Sequence, residues 1–270
     1  MISRALTILI AGTGRLAAIL AKAASRASAS DTIAVVGRNR EARDALIAEV
    51  PGLRTGELDW ASRADLLILA VSPQAYPDVL AAFAPHLAPK TVIVSVTNGV
   101  ALETLGQWTA NPVVKAIPTT AQAVGCGAVP VVAGPAATPA DIALVKGWFS
   151  RFSQPFDVNE ADIRVASNVA SSAIAVLALF ARAFVSANAA RTDTISPASL
   201  DIMIAESLIA TGELLRQGHS YETIIHSTAT PLGVTEALMR PLAEVAPEVC
   251  VRMVEAGFVR QSELQSDPKS

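Results

Sequence analysis

The fold is decided by residues 9–20, LIAGTGRLAAIL, in which two glycines lie between a short apolar segment and an alanine- and leucine-rich one. The apolar segment predicts a β-strand, and the residues after the glycines predict a helix. Gly12 and Gly14 permit a tight turn and a close approach of the backbone to a diphosphate, while Ala17 is small enough for packing of the helix on the strand. Because the first N–H groups of the helix would face the anion, we interpret this stretch as a nucleotide-binding turn.

A secretion signal is the alternative interpretation of this stretch, because Arg4 precedes an apolar run. The two glycines end that run early, and Arg15 places a charge in its middle. Such a short run makes a poor signal core, so we expect a cytoplasmic protein.

The composition favours a folded protein with a large core, and it does not favour binding of nucleic acid or of a membrane surface. The chain has 270 residues, of which 51% are hydrophobic and 17% charged, and its formal net charge is −3. This balance gives no electrostatic reason to expect nucleic acid or an anionic membrane. Cys126 and Cys250 are far apart in the sequence and the three histidines are scattered, so we expect reduced cysteines and no metal site.

The longest apolar stretch, residues 165–181, is interrupted by serines and an asparagine and is followed directly by Arg182. A membrane-spanning helix needs about 20 predominantly apolar residues, so we expect a long helix buried between domains or subunits instead.

Strand-like and helix-like segments alternate through the first part of the chain, which predicts a Rossmann-like, doubly wound α/β sheet with its ligand at the carboxyl ends of the strands. After about residue 160 the strands disappear, and we predict a nucleotide-binding domain over 1–160 followed by an all-helical domain over 161–270. The expected strands are 7–11, 32–37, 65–71, 91–96, 113–117 and 129–133; the expected helices are 16–24, 40–50, 77–87, 102–108 and 139–152, then 163–191, 199–217, 221–225 and 236–263, the last with a break near Pro241 or Pro247.

The end of the second predicted strand indicates which nucleotide is bound. NAD-selective folds carry an acidic residue about 20 residues beyond the glycine turn. Here no acid is present, and Arg38 and Arg40 flank Asn39 instead. Guanidinium groups suit a 2′-phosphate, so NADPH is the expected coenzyme, with NADH possible. The alternative is that these arginines only cap the start of a helix.

The order of the motifs resembles the pyrroline-5-carboxylate reductase family over nearly the whole chain. The helices over 208–218 and 254–264, on either side of a loop at 230–235, also resemble those of the family. The motifs are the glycine turn over 12–17, the strand and loop over 64–74 with Ser72 in place of the family's lysine, the S-x-x-x-GV segment over 95–100, the R-x-MPNT-like segment over 115–120 with Gly125 and Gly127 after it, and the SPGGTT-like loop over 230–235.

The resemblance implies a helical dimerisation domain, a homodimer that assembles further in some cases, and sites between subunits. It implies that Thr235 is the catalytic residue, orienting the substrate nitrogen. The coenzyme is implied to contact Gly12, Thr13, Gly14, Arg15, Leu16, Arg38, Asn39, Arg40, Val71, Ser72, Pro73, Asn98 and Gly99, and the substrate Pro118, Thr119, Thr120, Ser172, Thr230, Gly233 and Val234.

Three departures from the family pattern lie where the family binds its substrate. The GSGPAY signature falls at 171–176, where only Ser172 and Ala175 agree. Thr119 replaces an asparagine, and Leu232 replaces the first glycine of the SPGG loop. The sequence therefore indicates the coenzyme more firmly than the substrate.

Reduction of a cyclic imine suits these residues, because an imine nitrogen takes a proton readily and a neutral hydroxyl near it suffices. Thr235 is expected to supply that hydroxyl, and the N–H groups of the 230–235 loop to hold a substrate carboxylate. The alternative for Thr235 is a plain helix N-cap.

Of three other functions, the first loses its key residue on the sequence and the other two remain open. A hydroxyacid-type dehydrogenase would use a lysine on a helix of the second domain, but no lysine lies between Lys146 and Lys269, and His226 is the one remaining acid of suitable pKa. The same scaffold accommodates a different imine, ketimine or small carbonyl compound. A nucleotide-binding regulator without turnover is the third possibility.

Overall fold

The computed structural model describes the backbone of residues 4–266 and the side chains of residues 4–263. Residues up to Ser172 form one compact unit, and Ala173–Glu263 form a second.

The first unit is built on an eight-stranded sheet with the order β3-β2-β1-β4-β5-β6-β7-β8. All neighbouring strands pair in parallel except β6 and β7. The strands are β1 Thr7–Ala11, β2 Thr32–Val36, β3 Arg54–Thr55, β4 Leu66–Leu69, β5 Val92–Ser95, β6 Val113–Ala116, β7 Ala128–Ala133 and β8 Gln154–Asp157.

Both faces of this sheet are covered, which explains why its central strands β1, β2, β4 and β5 are almost wholly apolar rather than alternating. Ile8 and Ile10 of β1 belong to one buried cluster with α1 and α5, whereas Leu9 and Ala11 belong to a second with α3 and α4. The helices of this unit are α1 Arg15–Ala27, α2 Arg40–Glu49, α3 Tyr76–Phe83, α4 Leu102–Trp108, α5 Pro139–Phe149 and α6 Ile163–Ser167.

The predicted doubly wound sheet is confirmed, with two differences. The strand β7 runs antiparallel to β6, because only a short 3-10 turn over Thr120–Val124 connects them and a parallel pair needs a longer crossover. Strands β3 and β8 were not predicted, since β3 has two exposed residues and β8 carries Pro155 among polar residues.

A π-helical turn, Asn168–Ser172, ends the first unit, and the second unit is entirely helical. Its helices are α7 Ala173–Ala189, α8 Pro197–Arg216, α9 Tyr221–Thr228 and α10 Val234–Ser266. The expected break in the last helix is wrong, because α10 continues through Pro241 and Pro247. Each proline removes one backbone hydrogen bond, and the remaining bonds of this 33-residue helix keep it continuous.

Many large apolar side chains of the second unit are exposed, among them Phe180 on α7, Ile209 on α8 and Val259 on α10. One helical run, Glu160–Ala189, is long and apolar enough to cross a membrane by length and composition alone, which is weak evidence of such a role.

Candidate functional site

The first glycine of the turn lies where the carboxyl ends of three adjacent strands meet. Gly12 has a φ of +126°, and its N–H donates to the Val36 carbonyl at 2.7 Å. A Cβ at this position would lie 2.3 Å from the Ala70 carbonyl oxygen. Both the backbone conformation and the contact require glycine, so the turn between β1 and α1 depends on Gly12.

The second glycine faces open space. Gly14 is the N-cap of α1, has no side-chain cap, and a Cβ placed on it would meet no atom within 4 Å. The first turn of α1 contains no acidic residue, and Ala17 is fully buried against the sheet. The start of α1 therefore presents unblocked N–H groups and the positive end of the helix dipole to open space, as binding of a diphosphate requires.

Thr13 lies between these glycines and packs over the end of β2. A Cβ on Gly37 would lie 2.4 Å from the Thr13 Cγ2 atom, so Gly37 is required by this contact. The contact fixes the loop that follows β2 beside the glycine turn.

The loop after β2 presents exposed cations. The Asn39 side chain accepts a hydrogen bond from the Ala42 N–H at 2.9 Å and so caps α2. The arginines therefore do not perform this role. Arg40 makes a long contact of 3.8 Å with Asp44, and Arg38 forms no ion pair or hydrogen bond within residues 4–266. A free guanidinium beside the turn fits the 2′-phosphate expected from the sequence.

The loops after β4 and β5 approach each other at the same edge of the sheet. A Cβ on Gly99 would be in contact with the Pro73 side chain at 3.4 Å. The preceding residues Val71 and Ser72 complete the first loop, with Ser72 exposed. The Asn98 Nδ2 group is buried and has no hydrogen-bond partner within the described residues. A buried donor of this kind is costly unless a ligand or water accepts from it.

Tyr76 holds the end of β4 in place. Its hydroxyl donates to the Leu69 carbonyl at 2.8 Å in the buried interior. Burial raises the pKa of Tyr76 to about 12, so the phenol stays protonated and serves the fold rather than proton transfer.

The segment after β6 contains the predicted substrate residues Pro118, Thr119 and Thr120. Thr119 is buried, and its hydroxyl accepts from the Ala121 N–H at 3.0 Å. The Gln122 side chain accepts from the Thr119 N–H, which completes a capping box. Sequence reasoning missed this arrangement, although the spacing of Thr119 and Gln122 is its known signature.

Sequence reasoning also missed an ion pair between Lys115, which is buried, and Glu160, which is partly exposed. Lys115 lies in β6 with 2% of its side chain exposed, and its Nζ atom is 2.6 Å from the Glu160 Oε1 atom. Glu160 also accepts from the Leu102 N–H at 2.9 Å. Burial raises the pKa of Glu160, but the hydrogen bonds from Lys115 and Leu102 outweigh it, so the pKa lies below its ordinary value. The lysine inside an apolar strand, VVKAI, was the available signal.

In the second unit, the 230–235 loop forms a tight turn before α10. The Gly233 N–H donates to the Thr230 carbonyl at 2.9 Å, and a Cβ on Gly233 would lie 2.4 Å from the Thr230 Oγ1 atom. Leu232 has a φ of 61°, the left-handed conformation that glycine favours, and its side chain is 95% exposed. Leu232, where the family has glycine, thus adopts a backbone conformation that is costly for a residue with a Cβ.

Thr235 lies within the first turn of α10, which begins at Val234. Its hydroxyl has no hydrogen-bond partner within residues 4–266, so Thr235 is not the N-cap of α10, which was the alternative interpretation. Glu236, next to it, accepts from the Leu232 N–H at 2.5 Å. Ser172, the remaining predicted substrate residue, is exposed at the end of the π-helical turn. Within the described part of the chain, no group of three or more His, Cys, Asp or Glu side chains is arranged to hold a metal.

Two family models match the chain. Residues 7–99 match NADP oxidoreductase coenzyme F420-dependent proteins, and residues 160–264 match the pyrroline-5-carboxylate reductase dimerisation domain. Pyrroline-5-carboxylate reductase from Synechocystis is 25% identical over 94% of this chain and 97% of its own length. The two family models and this relative together indicate a member of the pyrroline-5-carboxylate reductase family. The protein is accordingly an NADP-dependent oxidoreductase acting on a CH–NH group.

Further members of the pyrroline-5-carboxylate reductase family have the same fold. Pyrroline-5-carboxylate reductase 3 of Bacillus subtilis is 26% identical over 77% of this chain and 78% of its own length. The solved structure of the Coxiella burnetii enzyme has a TM-score of 0.85 at 20% identity, covering 97% of this chain and 99% of that one. The Plasmodium falciparum enzyme, solved with NADP bound, has a TM-score of 0.82 at 17% identity, covering 96% and 98%.

Proposed function

We propose that this protein uses NADPH to reduce the C=N bond of a cyclic imine carboxylate, most simply 1-pyrroline-5-carboxylate to L-proline. The observation that carries the proposal is the glycine turn, in which Gly12 is required by the fold while Gly14 leaves the start of α1 open. The names of the curated relatives, pyrroline-5-carboxylate reductase, support the substrate.

The first unit supplies the groups expected to hold the coenzyme, which brings the hydride when bound. The diphosphate is assigned to the N–H groups at the start of α1, and the 2′-phosphate to Arg38 and Arg40. The unpartnered Asn98 amide is the donor expected to find its acceptor on the coenzyme. The full set is Gly12, Thr13, Gly14, Arg15, Leu16, Arg38, Asn39, Arg40, Val71, Ser72, Pro73, Asn98 and Gly99.

The substrate is assigned to the residues that the family resemblance predicts for it. The Thr235 hydroxyl has no hydrogen-bond partner within the described residues. It is assigned to the imine nitrogen, which it orients and to which it donates its proton in a hydrogen bond. Of the threonines after β6, Thr120 is exposed, whereas the Thr119 hydroxyl is already used within its turn. The full set is Pro118, Thr119, Thr120, Ser172, Thr230, Gly233, Val234 and Thr235.

We assign residues 1–160 to coenzyme binding and 161–270 to substrate binding and dimerisation, in a cytoplasmic homodimer or a higher homo-oligomer. The exposed apolar side chains of α7, α8 and α10 support this assignment, since apolar helix faces of this extent need a covering surface. Burial against a second copy would also account for the apolar run over Glu160–Ala189 without a membrane.

A second candidate keeps the enzyme class and changes the substrate to another imine, a ketimine or a small carbonyl compound. It is favoured by Leu232, which places an exposed apolar side chain in the loop where the family has glycine.

Steady-state oxidation of NADPH with 1-pyrroline-5-carboxylate tests the proposal. We expect turnover by the wild-type protein, a loss of about tenfold or more in kcat for Thr235→Ala, and recovery of most activity in Thr235→Ser, which keeps the hydroxyl. Background rates in protein that binds NADPH would reject 1-pyrroline-5-carboxylate as substrate, and turnover of another imine in the same protein would favour the second candidate.

A further inference from the structure

Three buried polar side chains lie on one face of the sheet, at the base of the loops assigned to coenzyme and substrate. Ser95 is the last residue of β5 and pairs in register with Lys115 of β6, so their side chains point to the same face. The Ser95 hydroxyl donates to the Tyr76 hydroxyl at 3.5 Å, and all three side chains are buried. The loops over 97–99 and 118–120 begin within three residues of Ser95 and Lys115.

One oxygen of Glu160 joins Lys115 to the start of α4. The Glu160 Oε1 atom is 2.6 Å from the Lys115 Nζ atom and also accepts from the Leu102 N–H at 2.9 Å. Leu102 is the first residue of α4, and its N–H is one of those that a helix leaves without a partner of its own. The N-cap residue, Ala101, has no side-chain acceptor for it. Glu160, 58 positions along the chain from Leu102, therefore caps the helix, and Lys115 holds it there.

The loop over 96–101 is thus fixed at both of its ends. Ser95 fixes it where β5 ends, and Glu160 fixes it where α4 begins. Within the loop, the Asn98 Nδ2 group is buried and has no hydrogen-bond partner among the described residues. A donor that is already held in place loses little conformational freedom when a ligand binds, and this strengthens binding.

Stability alone does not account for a lysine at this position of β6. Moving an ammonium group out of water is costly, and an apolar side chain of similar length would fill the same space without that cost. In some proteins, buried ionic groups are retained because they fix one arrangement of the chain. The arrangement within reach of Lys115 is that of the 96–101 loop, through Glu160 and Leu102.

We propose that Lys115 and Glu160 are positioning residues for the coenzyme, which act through the Leu102 N–H and the 96–101 loop to present the Asn98 amide to it. The inference rests on the proposed function, because it takes the coenzyme to lie at the carboxyl ends of the strands. In this role neither side chain needs to touch the coenzyme, and each depends on the other.

The test is a set of NADPH titrations of the full-length protein, followed by fluorescence. The first variant is Lys115→Met/Glu160→Leu, which removes both charges and the acceptor for the Leu102 N–H. We expect its dissociation constant for NADPH to rise about tenfold. Asn98→Ala should raise the constant about tenfold in the wild-type protein but less than about twofold in this variant, because the amide is no longer held in place. Lys115→Arg, which keeps the charge, should stay within about threefold of the wild type.

Hydrogen exchange separates positioning from a general loss of stability. Without coenzyme, the Leu102 amide should exchange about tenfold faster or more in Lys115→Met/Glu160→Leu than in the wild-type protein. The control is Lys146→Met/Asp157→Leu, which removes an ion pair between α5 and β8, where α5 packs on the other face of the sheet. It should leave the exchange of Leu102 unchanged and the dissociation constant within about twofold.

Urea unfolding shows which variants are folded. If Lys115→Met/Glu160→Leu is not, Lys115→Met/Glu160→Gln carries the same comparison with Asn98→Ala. Its amide oxygen still accepts from the Leu102 N–H, but no charge holds it in place, so the dissociation constant should rise about threefold.

Additive effects of Asn98→Ala and the ion-pair variants, or an unchanged dissociation constant in folded variants, overturn the positioning role and leave the proposed function standing. A wild-type protein that binds no NADPH overturns the proposed function, and the inference with it. Failure to reduce 1-pyrroline-5-carboxylate in protein that binds NADPH rejects that substrate and leaves the positioning role to the titrations.

Discussion

Gly12 and the Ala70 carbonyl are so close that a Cβ on Gly12 would lie 2.3 Å from the carbonyl oxygen, whereas a Cβ on Gly14 would meet nothing within 4 Å. The two glycines of the turn therefore have different roles. The fold requires Gly12, and the open space beside Gly14 is available to a ligand.

Alanine at each position should separate these roles. We expect Gly12→Ala to lower the free energy of unfolding by more than about 2 kcal/mol, because it combines a clash with a disfavoured φ. Gly14→Ala should cost less than about 1 kcal/mol, as an N-cap change in an allowed conformation, yet weaken NADPH binding at least about tenfold. Urea unfolding and an NADPH titration measure the two effects. Equal losses of stability in both variants would contradict the division.

Arg38 should decide the choice of coenzyme. Its guanidinium is exposed and without a partner within residues 4–266, so Arg38→Asp should remove a contact to the 2′-phosphate and repel it. We expect the ratio of kcat/KM for NADH to that for NADPH to rise about tenfold or more. Lys90→Asp changes the charge equally at an exposed position before β5, at the amino end of that strand, and should leave the ratio unchanged. An unchanged ratio in Arg38→Asp would count against the assignment.

The Lys115–Glu160 pair should make stability sensitive to acid. The pKa of Glu160 lies below its ordinary value of 4.5, so the pair stabilises the folded protein fully above that value and loses its effect as the pH falls through the native pKa. Glu160→Gln should therefore lower the free energy of unfolding by roughly 1–3 kcal/mol at neutral pH, the partial exposure of Glu160 limiting the loss.

This difference between Glu160→Gln and the wild-type protein should narrow at about pH 4 and below. Urea unfolding at both pH values measures it, with Glu103→Gln, an exposed acid on α4, as the control. If the difference in free energy of unfolding stays constant with pH, Lys115 and Glu160 are not both charged in the folded state.

Leu232→Gly should be tolerated by the fold. It removes the cost of a left-handed leucine, about 1–2 kcal/mol, and adds the backbone entropy of glycine, about 0.5–1 kcal/mol. The free energy of unfolding should therefore stay the same or rise, by up to about 1.5 kcal/mol. Leu238→Gly, in the interior of α10, should instead lower it by about 1 kcal/mol. A loss in Leu232→Gly as large as in Leu238→Gly would show that the leucine side chain is needed for the fold.

Local patterns predict the sheet well because its strands are buried on both faces. Segments such as LLIL of β4 and VIVS of β5 are apolar throughout, and the glycine turn marks the passage from β1 to α1. The two-residue strand β3 and the polar β8 lack that pattern and depend on pairing with a neighbouring strand. Pro241 and Pro247 predict a break in α10, but the other backbone hydrogen bonds of this helix keep it continuous.

The candidate site is predictable only where one motif contains it. The turn over 12–17 and the loop over 230–235 are local, so sequence reasoning identifies them. The contact of Lys115 with Glu160 joins residues 45 positions apart, and no local pattern reports it. The bond from Leu232 to Glu236 depends on a left-handed backbone at a leucine, which residue preferences do not predict.

The central claim, that the glycine turn binds NADPH for hydride transfer to a cyclic imine, is tested most directly by isotope labelling. NADPH carrying deuterium at the transferable C4 position is incubated with the wild-type protein and 1-pyrroline-5-carboxylate. We predict a pyrrolidine product that carries one deuterium on the former imine carbon, detected by mass spectrometry, and greatly reduced labelling with Gly14→Ala. NADPH binding without deuterium in any product above background would contradict the account.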